Sequence, residues 1–183
     1  MALWDIITVG DPRLRQRSRP VSHVAAEVRD FVADMLETMR ANNGVGLAAV
    51  QVGVLQRIVV IELPEDEEIS GSGETYVFIN PEIVKTSREV EDGIEGCLSV
   101  PGYIGEVERA SWVVVRGLDI HGKPQKLRVY GYLARVFQHE IDHCDGVLYI
   151  DRLTAPERIW PVQEGEEEEA ELAVAQGADP VAV

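Results

Sequence analysis

An α+β fold is predicted by three patterns in the sequence. Two stretches, at 24–40 and 131–144, carry apolar residues at three- and four-residue steps, the spacing of a helix face. Between them lie short runs rich in Val, Ile, Tyr and Trp, bounded by Gly, Pro, Asn and Asp, which is strand punctuation. Two of these runs read as a hairpin, so the sheet is expected to be antiparallel at least there.

The chain opens with Ile6-Ile7-Thr8-Val9, a short apolar run ended by Gly10-Asp11-Pro12. Residues 13–20 are basic and polar and are expected to form an extended surface segment. Val24, Val28, Phe31, Val32, Met35, Leu36 and Met39 follow a helical period to about Arg40, and Asn42-Asn43-Gly44 stops it. Gly44-Val45-Gly46-Leu47-Ala48-Ala49-Val50-Gln51-Val52-Gly53 comes next, and its small residues let the backbone approach a ligand or another element closely. It lacks the spacing of a phosphate-binding loop. Gln51 is an uncharged hydrogen-bond donor in apolar company, suited to a developing oxyanion; the plainer alternative is that it satisfies buried backbone groups.

Residues 57–61 are expected to form a buried strand, and 63–74 an acidic, glycine-rich loop. Residues 76–79 form the next strand, closed by Asn80-Pro81. Residues 112–118 and 126–130 pair as a hairpin around His121-Gly122-Lys123-Pro124. His121 reads as a solvated turn residue and His23 as a surface one.

The helical stretch 131–144 carries the chemistry. Leu133, Val136, Phe137, Glu140, Ile141 and Cys144 share one face, and Asp145-Gly146 ends the run. His139 and His143 are four residues apart, so two imidazoles are presented to one point, as a divalent metal requires. Glu140, beside the first of them, is placed to take a proton from a water activated there. A buried Glu without a partner is costly, which argues against an amphipathic helix with two idle surface histidines.

Two histidines are not a complete site. Glu95-Gly96-Cys97-Leu98-Ser99-Val100-Pro101-Gly102 offers a third donor, because a thiolate suits a borderline metal and a catalytic site keeps one position open. Cys97 read alone is equally a small buried apolar residue. Cys144 is its rival, but helix neighbours point apart, and its place on the apolar stripe favours core packing.

The 183 residues suit one domain with a sizeable core. Two cysteines are too few for a disulfide framework. No signal core or membrane span is visible, so a cytoplasmic location is expected. A net charge of −15 argues against a nucleic-acid-binding face. Much of that charge falls in 164–171, which holds six glutamates. We therefore expect a folded domain over 1–160 and an acidic, disordered tail over 161–183.

Taken together, Gly44-Val45-Gly46-Leu47-Ala48-Ala49-Val50-Gln51, Glu95-Gly96-Cys97-Leu98-Ser99 and Gln138-His139-Glu140-Ile141-Asp142-His143 resemble, in order, the three signature motifs of peptide deformylases. Gly10-Asp11-Pro12-Arg13-Leu14-Arg15 and Gly146-Val147-Leu148-Tyr149-Ile150-Asp151-Arg152-Leu153 are similar as well, so the resemblance covers about 4–154. Val50 stands where many members have proline, and Cys144 where leucine is usual. Neither position carries the chemistry.

The resemblance implies an α+β fold in which antiparallel strands wrap the motif helix and the first helix packs outside. It implies removal of the formyl group from the N-terminal formyl-methionine of newly made polypeptides at the ribosome, releasing formate. Cys97, His139 and His143 then hold one divalent ion, Fe(II) first, with Zn(II) or Ni(II) as other occupants. Glu140 is the general base, and the Gln51 amide and the Leu98 N–H face the oxyanion. Val45 and Gly46 hold the peptide backbone by strand-like pairing, and an apolar pocket at Val136 takes the methionine side chain.

Two other classes share parts of this pattern. A general zinc metallopeptidase has the same helix motif but draws its third ligand from a downstream His or Glu, and no histidine follows His143. A structural metal site needs a fourth protein donor, for which Cys144 is the obvious candidate.

Overall fold

The apolar strand Ile58–Glu62 is buried on both faces, and it divides the domain. Val59 and Ile61 point to one side and Ile58 and Val60 to the other, as a two-residue period requires. A computed structural model, which describes residues 2–66 and 69–162, shows what covers each side. In chain order the elements are α1 (Ala26–Ala41), β1 (Gly46–Ala48), β2 (Ile58–Glu62), β3 (Thr75–Thr86), β4 (Val90–Glu95), β5 (Tyr103–Ala110), β6 (Trp112–Leu118), β7 (Pro124–Tyr130), α2 (Gly131–Cys144) and β8 (Ile159–Pro161). Short 3-10 turns occupy Pro12–Arg15, Ala49–Val52 and Tyr149–Arg152.

Five strands form one antiparallel sheet in the order β1-β2-β3-β6-β7, and β4-β5-β8 form a second. On one side of the large sheet, Val32, Met35 and Met39 of α1 pack with Leu47, Ile58, Val60 and Ile79. On the other, Leu133, Val136, Phe137 and Ile141 of α2 pack with Val59, Ile61, Phe78, Val113 and Val115. Phe137 meets Phe78 edge-on at 5.1 Å and Tyr76 at 5.8 Å, pairs worth about 0.5–1.5 kcal/mol each beyond their buried area. The small sheet lies beyond α2: the Arg135 guanidinium reaches from the helix to the carbonyls of Val107, at 2.8 Å, and Glu91, at 2.7 Å. The α+β architecture, with antiparallel strands on both sides of the motif helix and α1 outside, is the one expected.

Several local readings need correction. The segment 13–20 is not simply extended and exposed. Asp11 caps a 3-10 turn with Pro12 in its first position, and this turns Leu14 and Ser18 inward. The strand at 76–79 does not stop at Asn80-Pro81 but runs on to Thr86 through a bulge. Asn80 takes a positive φ of 54° there, and its amide closes on both backbone groups of Val21, at 2.7 and 2.8 Å. The small sheet was not foreseen, because Val-Glu-Asp-Gly-Ile-Glu along β4 lacks an apolar alternation. The motif helix is not one-faced: every residue from Leu133 to Cys144 is buried. Ile159–Pro161 pairs with β5, so the strand crosses the expected boundary at 160; the acidic segment lies outside the described residues.

Two backbone features set the site. Gly146, just past α2, has a φ of 77°, and a Cβ there would meet the Arg15 carbonyl oxygen at 2.7 Å. The chain's first residues are tied beneath the cleft by Ile7 N–H to the Gln51 carbonyl, at 2.8 Å, and Val9 N–H to the Ser99 carbonyl, at 2.7 Å.

The bulge gives a stability prediction. Asn80→Ala removes two hydrogen bonds and leaves at positive φ a residue without the polar side chain that lets Asn tolerate it, a loss of about 2–4 kcal/mol in urea denaturation. Asn80→Gly tolerates the φ and should lose only about half as much. Equal losses in the two variants would show that the backbone conformation contributes nothing.

Candidate metal centre and cleft

One helical turn brings His139 Nε2 to 3.1 Å from His143 Nε2. The turn after β4 brings in Cys97, whose Sγ lies 3.3 Å from His143 Nε2. The donor atoms of the three residues all lie within 4.8 Å of one another, and all three residues are buried. This is the only such group among the described residues. Cys144 is elsewhere, sealed in the core between α2 and the large sheet, where burial pushes its thiol up to about 12.

The Cys97 turn is itself braced. Val100 N–H donates to the Cys97 carbonyl at 2.8 Å, and Ser99 N–H points at the sulfur at 3.4 Å. Gln51 comes from the 3-10 turn after β1. Its Oε1 accepts from Ala48 N–H at 2.8 Å, which fixes the amide so that Nε2 faces Cys97 Sγ at 3.5 Å and Ser99 Oγ at 3.3 Å.

Behind the histidines is a charge network that the motifs alone did not reveal. His139 Nδ1 lies 2.9 Å from Glu95 Oε2. Glu95 is held by Arg109 through Nε at 2.8 Å and Nη2 at 2.9 Å, and by Arg135 Nη1 at 3.0 Å. Arg109 Nη1 continues to Asp142 at 2.6 Å, and Arg152 clasps the same carboxylate at 2.5 and 2.7 Å. Burial alone would raise the pKa of Glu95, but its bonds to Arg109 and His139 hold it well below the usual range. Glu95 was legible only as part of a motif, with no role attached. Arg109 had a readable signal: it follows Gly105 and Val107 at the inward-facing positions of β5, and a charge there must find a buried partner.

The donor set fits a cation. Burial would lower the pKa of His139, yet the Cys97 sulfur and Glu95 carboxylate raise it, so the pocket draws positive charge to this point. Burial holds His143 below its ordinary value, in the neutral form a ligand needs. Three nitrogen and sulfur donors with room left in a cleft match a one-metal catalytic centre.

That cleft has a volume of about 460 Å³. Val45, Gly46, Gln51, Cys97, Leu98, Val136, His139 and Glu140 line it, as do Asn42 and Asn43. His143 is fully buried behind them. The structure therefore brings the sequence-selected residues to one place. Glu140 stands apart from the charge network: it is 3% exposed, and Oε2 has no hydrogen-bond partner among the described residues. Burial pushes its carboxyl up to about 7. Its other oxygen lies so close to Gly46 that a Cβ there would come within 2.4 Å of it.

An α+β domain with one Cys/His/His cluster able to hold a metal, and a buried, unpaired carboxylate on the same cleft wall, has the make-up of a metal-dependent hydrolase. Comparison with known proteins gives the family. The polypeptide deformylase family pattern matches residues 3–159. A peptide deformylase of Thermomicrobium roseum is 47% identical over 94% of this chain and 98% of its own length. One from Symbiobacterium thermophilum is 48% identical over 96% of this chain and 77% of its own. The crystal structure of the Ehrlichia chaffeensis peptide deformylase in complex with actinonin superposes with a TM-score of 0.80, at 45% identity, over 86% of this chain and 92% of that one. The chain belongs to the polypeptide deformylase family. Its reaction is hydrolysis of the formyl amide at the N-terminal formyl-methionine of new polypeptides.

Gly46 supplies a test of the geometry. Gly46→Ala should leave the fold intact, since no positive φ is required, while displacing the Glu140 carboxylate. A misplacement near 1 Å costs on the order of 10²-fold in rate. The expected result is a fall in kcat of that size with bound metal unchanged; wild-type kcat would show that the contact is not a constraint.

Proposed function

We propose that this enzyme cleaves the formyl group with Glu140 as proton carrier, the Gln51 amide and Leu98 N–H as oxyanion donors, and Cys97, His139 and His143 as holders of Fe(II). The observation that carries the reading is the Glu140 carboxylate. It is buried in the cleft wall beside the three donors, yet it is left out of the ion pairs that absorb the other buried charges.

When bound, the ion supplies Lewis acidity, lowering the pKa of a water toward neutrality. Glu140, with its carboxyl pushed up to about 7, is matched to take the proton of the attacking water and to return it to the departing methionine amine. Gln51 donates from Nε2, and the bond from Ala48 N–H to its Oε1 prevents the amide from turning its oxygen toward the developing negative charge. Leu98, next to Cys97 on the cleft wall, offers its backbone N–H to the same oxygen.

Val45 and Gly46 lie where β1 forms the edge of the large sheet, with β2 on its other side. An extended peptide adds there as a further strand. Val136, one turn before His139 and lining the cleft, faces the methionine side chain in this reading. Actinonin, held by the Ehrlichia chaffeensis relative, is proposed to enter the same cleft. The donor set accepts Fe(II), Zn(II) and Ni(II) alike, and Fe(II) is chosen on family resemblance. The substrate is met at the ribosome in the cytoplasm; no helix among the described residues is long and apolar enough to cross a membrane.

The decisive assay is formate release from a formyl-Met peptide, with metal analysis on protein purified without oxygen. Glu140→Gln should retain the metal and lose about two to four decades of rate, the usual scale for one general base. Metal loss in that variant, or near-normal turnover, would remove Glu140 from the role.

Ligand chemistry adds an oxygen test. Iron enzyme is expected to decay in air as the iron oxidises and the Cys97 thiolate advances to sulfenic and sulfinic acid, which thiols do not fully reverse. Nickel enzyme should keep its activity under the same exposure. Mass spectrometry of Cys97, with the buried Cys144 as internal control, reads the site of damage. Iron enzyme that stays fully active in air would contradict the proposed metal.

A further inference from the structure

Nothing assigned so far uses Arg109 of β5, which is 5% exposed and lies outside the three motifs. Its guanidinium grips two carboxylates at once. Nε and Nη2 fork onto the two oxygens of Glu95 at 2.8 and 2.9 Å, and Nη1 reaches Asp142 at 2.6 Å. The first carboxylate lies 2.9 Å from Nδ1 of His139. The second belongs to the residue immediately before His143 on α2. Asp142 also holds the end of that helix, because its carbonyl accepts from Asp145 N–H at 2.8 Å and Val147 N–H at 3.0 Å.

One cation therefore reaches the surroundings of both histidines, the first through a side chain and the second through the backbone. We propose that Arg109 is the positioning residue of the metal centre, fixing the ring of His139 through Glu95 and the helix turn that carries His143 through Asp142. The inference rests on Cys97, His139 and His143 being the ligands.

Physical chemistry explains why the residue is arginine. A planar fork can meet one carboxylate with two parallel bonds and still present a third donor at a set angle; a lysine ammonium is a point charge on a flexible stem and fixes neither plane. Arg135 does not duplicate the role. It gives Glu95 a single bond from Nη1, a nitrogen shared with the carbonyls of Gly93 and Val107, while Nη2 goes to the carbonyl of Glu91, so it ties α2 to the small sheet.

The test separates positioning from simple support of the fold. Wild type, Arg109→Lys and Asp142→Asn are prepared metal-free, and their melting midpoints are recorded. Zn²⁺ affinity is then measured by competition with a chromophoric chelator, and the Co²⁺ forms are compared by visible absorption, which reports ligand geometry. Loss of a group that orients a ligand typically weakens metal binding roughly 10–100-fold. Arg109→Lys is expected to fall in that range with an altered cobalt spectrum, and Asp142→Asn to show a smaller loss in the same direction.

Wild-type Zn²⁺ affinity and an unchanged cobalt spectrum in Arg109→Lys, with only a lowered melting midpoint, would overturn the proposal and leave Arg109 a support of the fold. If Arg109→Lys does not fold, Asp142→Asn decides by the same two readouts. A wild-type protein that binds neither ion would instead overturn the ligand assignment, leaving this inference without a basis.

Discussion

A helix buried on every side can carry an ionisable group only if the group meets an opposite charge or, like Glu140, has its proton held on by burial. From Leu133 to Cys144 no residue of α2 is exposed, yet the stretch contains Arg135, His139, Glu140, Asp142 and His143. The effective cost of burying an unpaired ion is several kcal/mol, so the elements around α2 are constrained by what they bring to it. Glu95 comes from β4, Arg109 from β5 and Arg152 from the turn after the helix. Such pairs add little net stability over an apolar core. What they add is geometry, because a guanidinium that must satisfy two carboxylates leaves each little freedom to turn.

The large sheet contributes in a different way. It is a neutral partition whose alternate residues fill two separate cores, one under α1 and one under α2. Its edge strand, β1, leads directly into the turn bearing Gln51, so peptide edge and amide donor are parts of one continuous stretch of backbone. The N-terminal segment ties that turn to the Cys97 turn, with Ile7 bonded to Gln51 and Val9 to Ser99. The Gln51 and Cys97 turns on the cleft wall are thus held by backbone bonds, while the His139 ring is held by the Glu95 carboxylate.

The sequence was most legible where spacing alone carries the meaning. Two histidines four apart on a helix, an adjacent glutamate, and a cysteine between glycine and leucine are local patterns, as is the hairpin of β6 and β7. The small sheet was hidden because β4 is an acidic strand, and its apolar positions do not alternate. The charge network was hidden because its members are far apart in sequence: Glu95 and Arg109 are separated by 14 residues, and Glu95 and His139 by 44. The extension of β3 past Asn80-Pro81 was missed because a side chain binding Val21, 59 residues away, keeps the strand going through a bulge.

The central place of α2 also bears on how the chain is made. Synthesis delivers α1 and seven strands before the helix that fills the space between the two sheets, and β8 follows later still. Until residue 144 is available, the inner faces of both sheets lack their filling, and the Glu95–Arg109 pair lacks its partners on α2, Arg135, His139 and Asp142. Native closure is therefore a late event that joins distant segments in one step, the behaviour of topologies rich in non-local pairing, which fold on the order of milliseconds to seconds. This enzyme's own nascent chain must remain unfinished as a catalyst until α2 has been made.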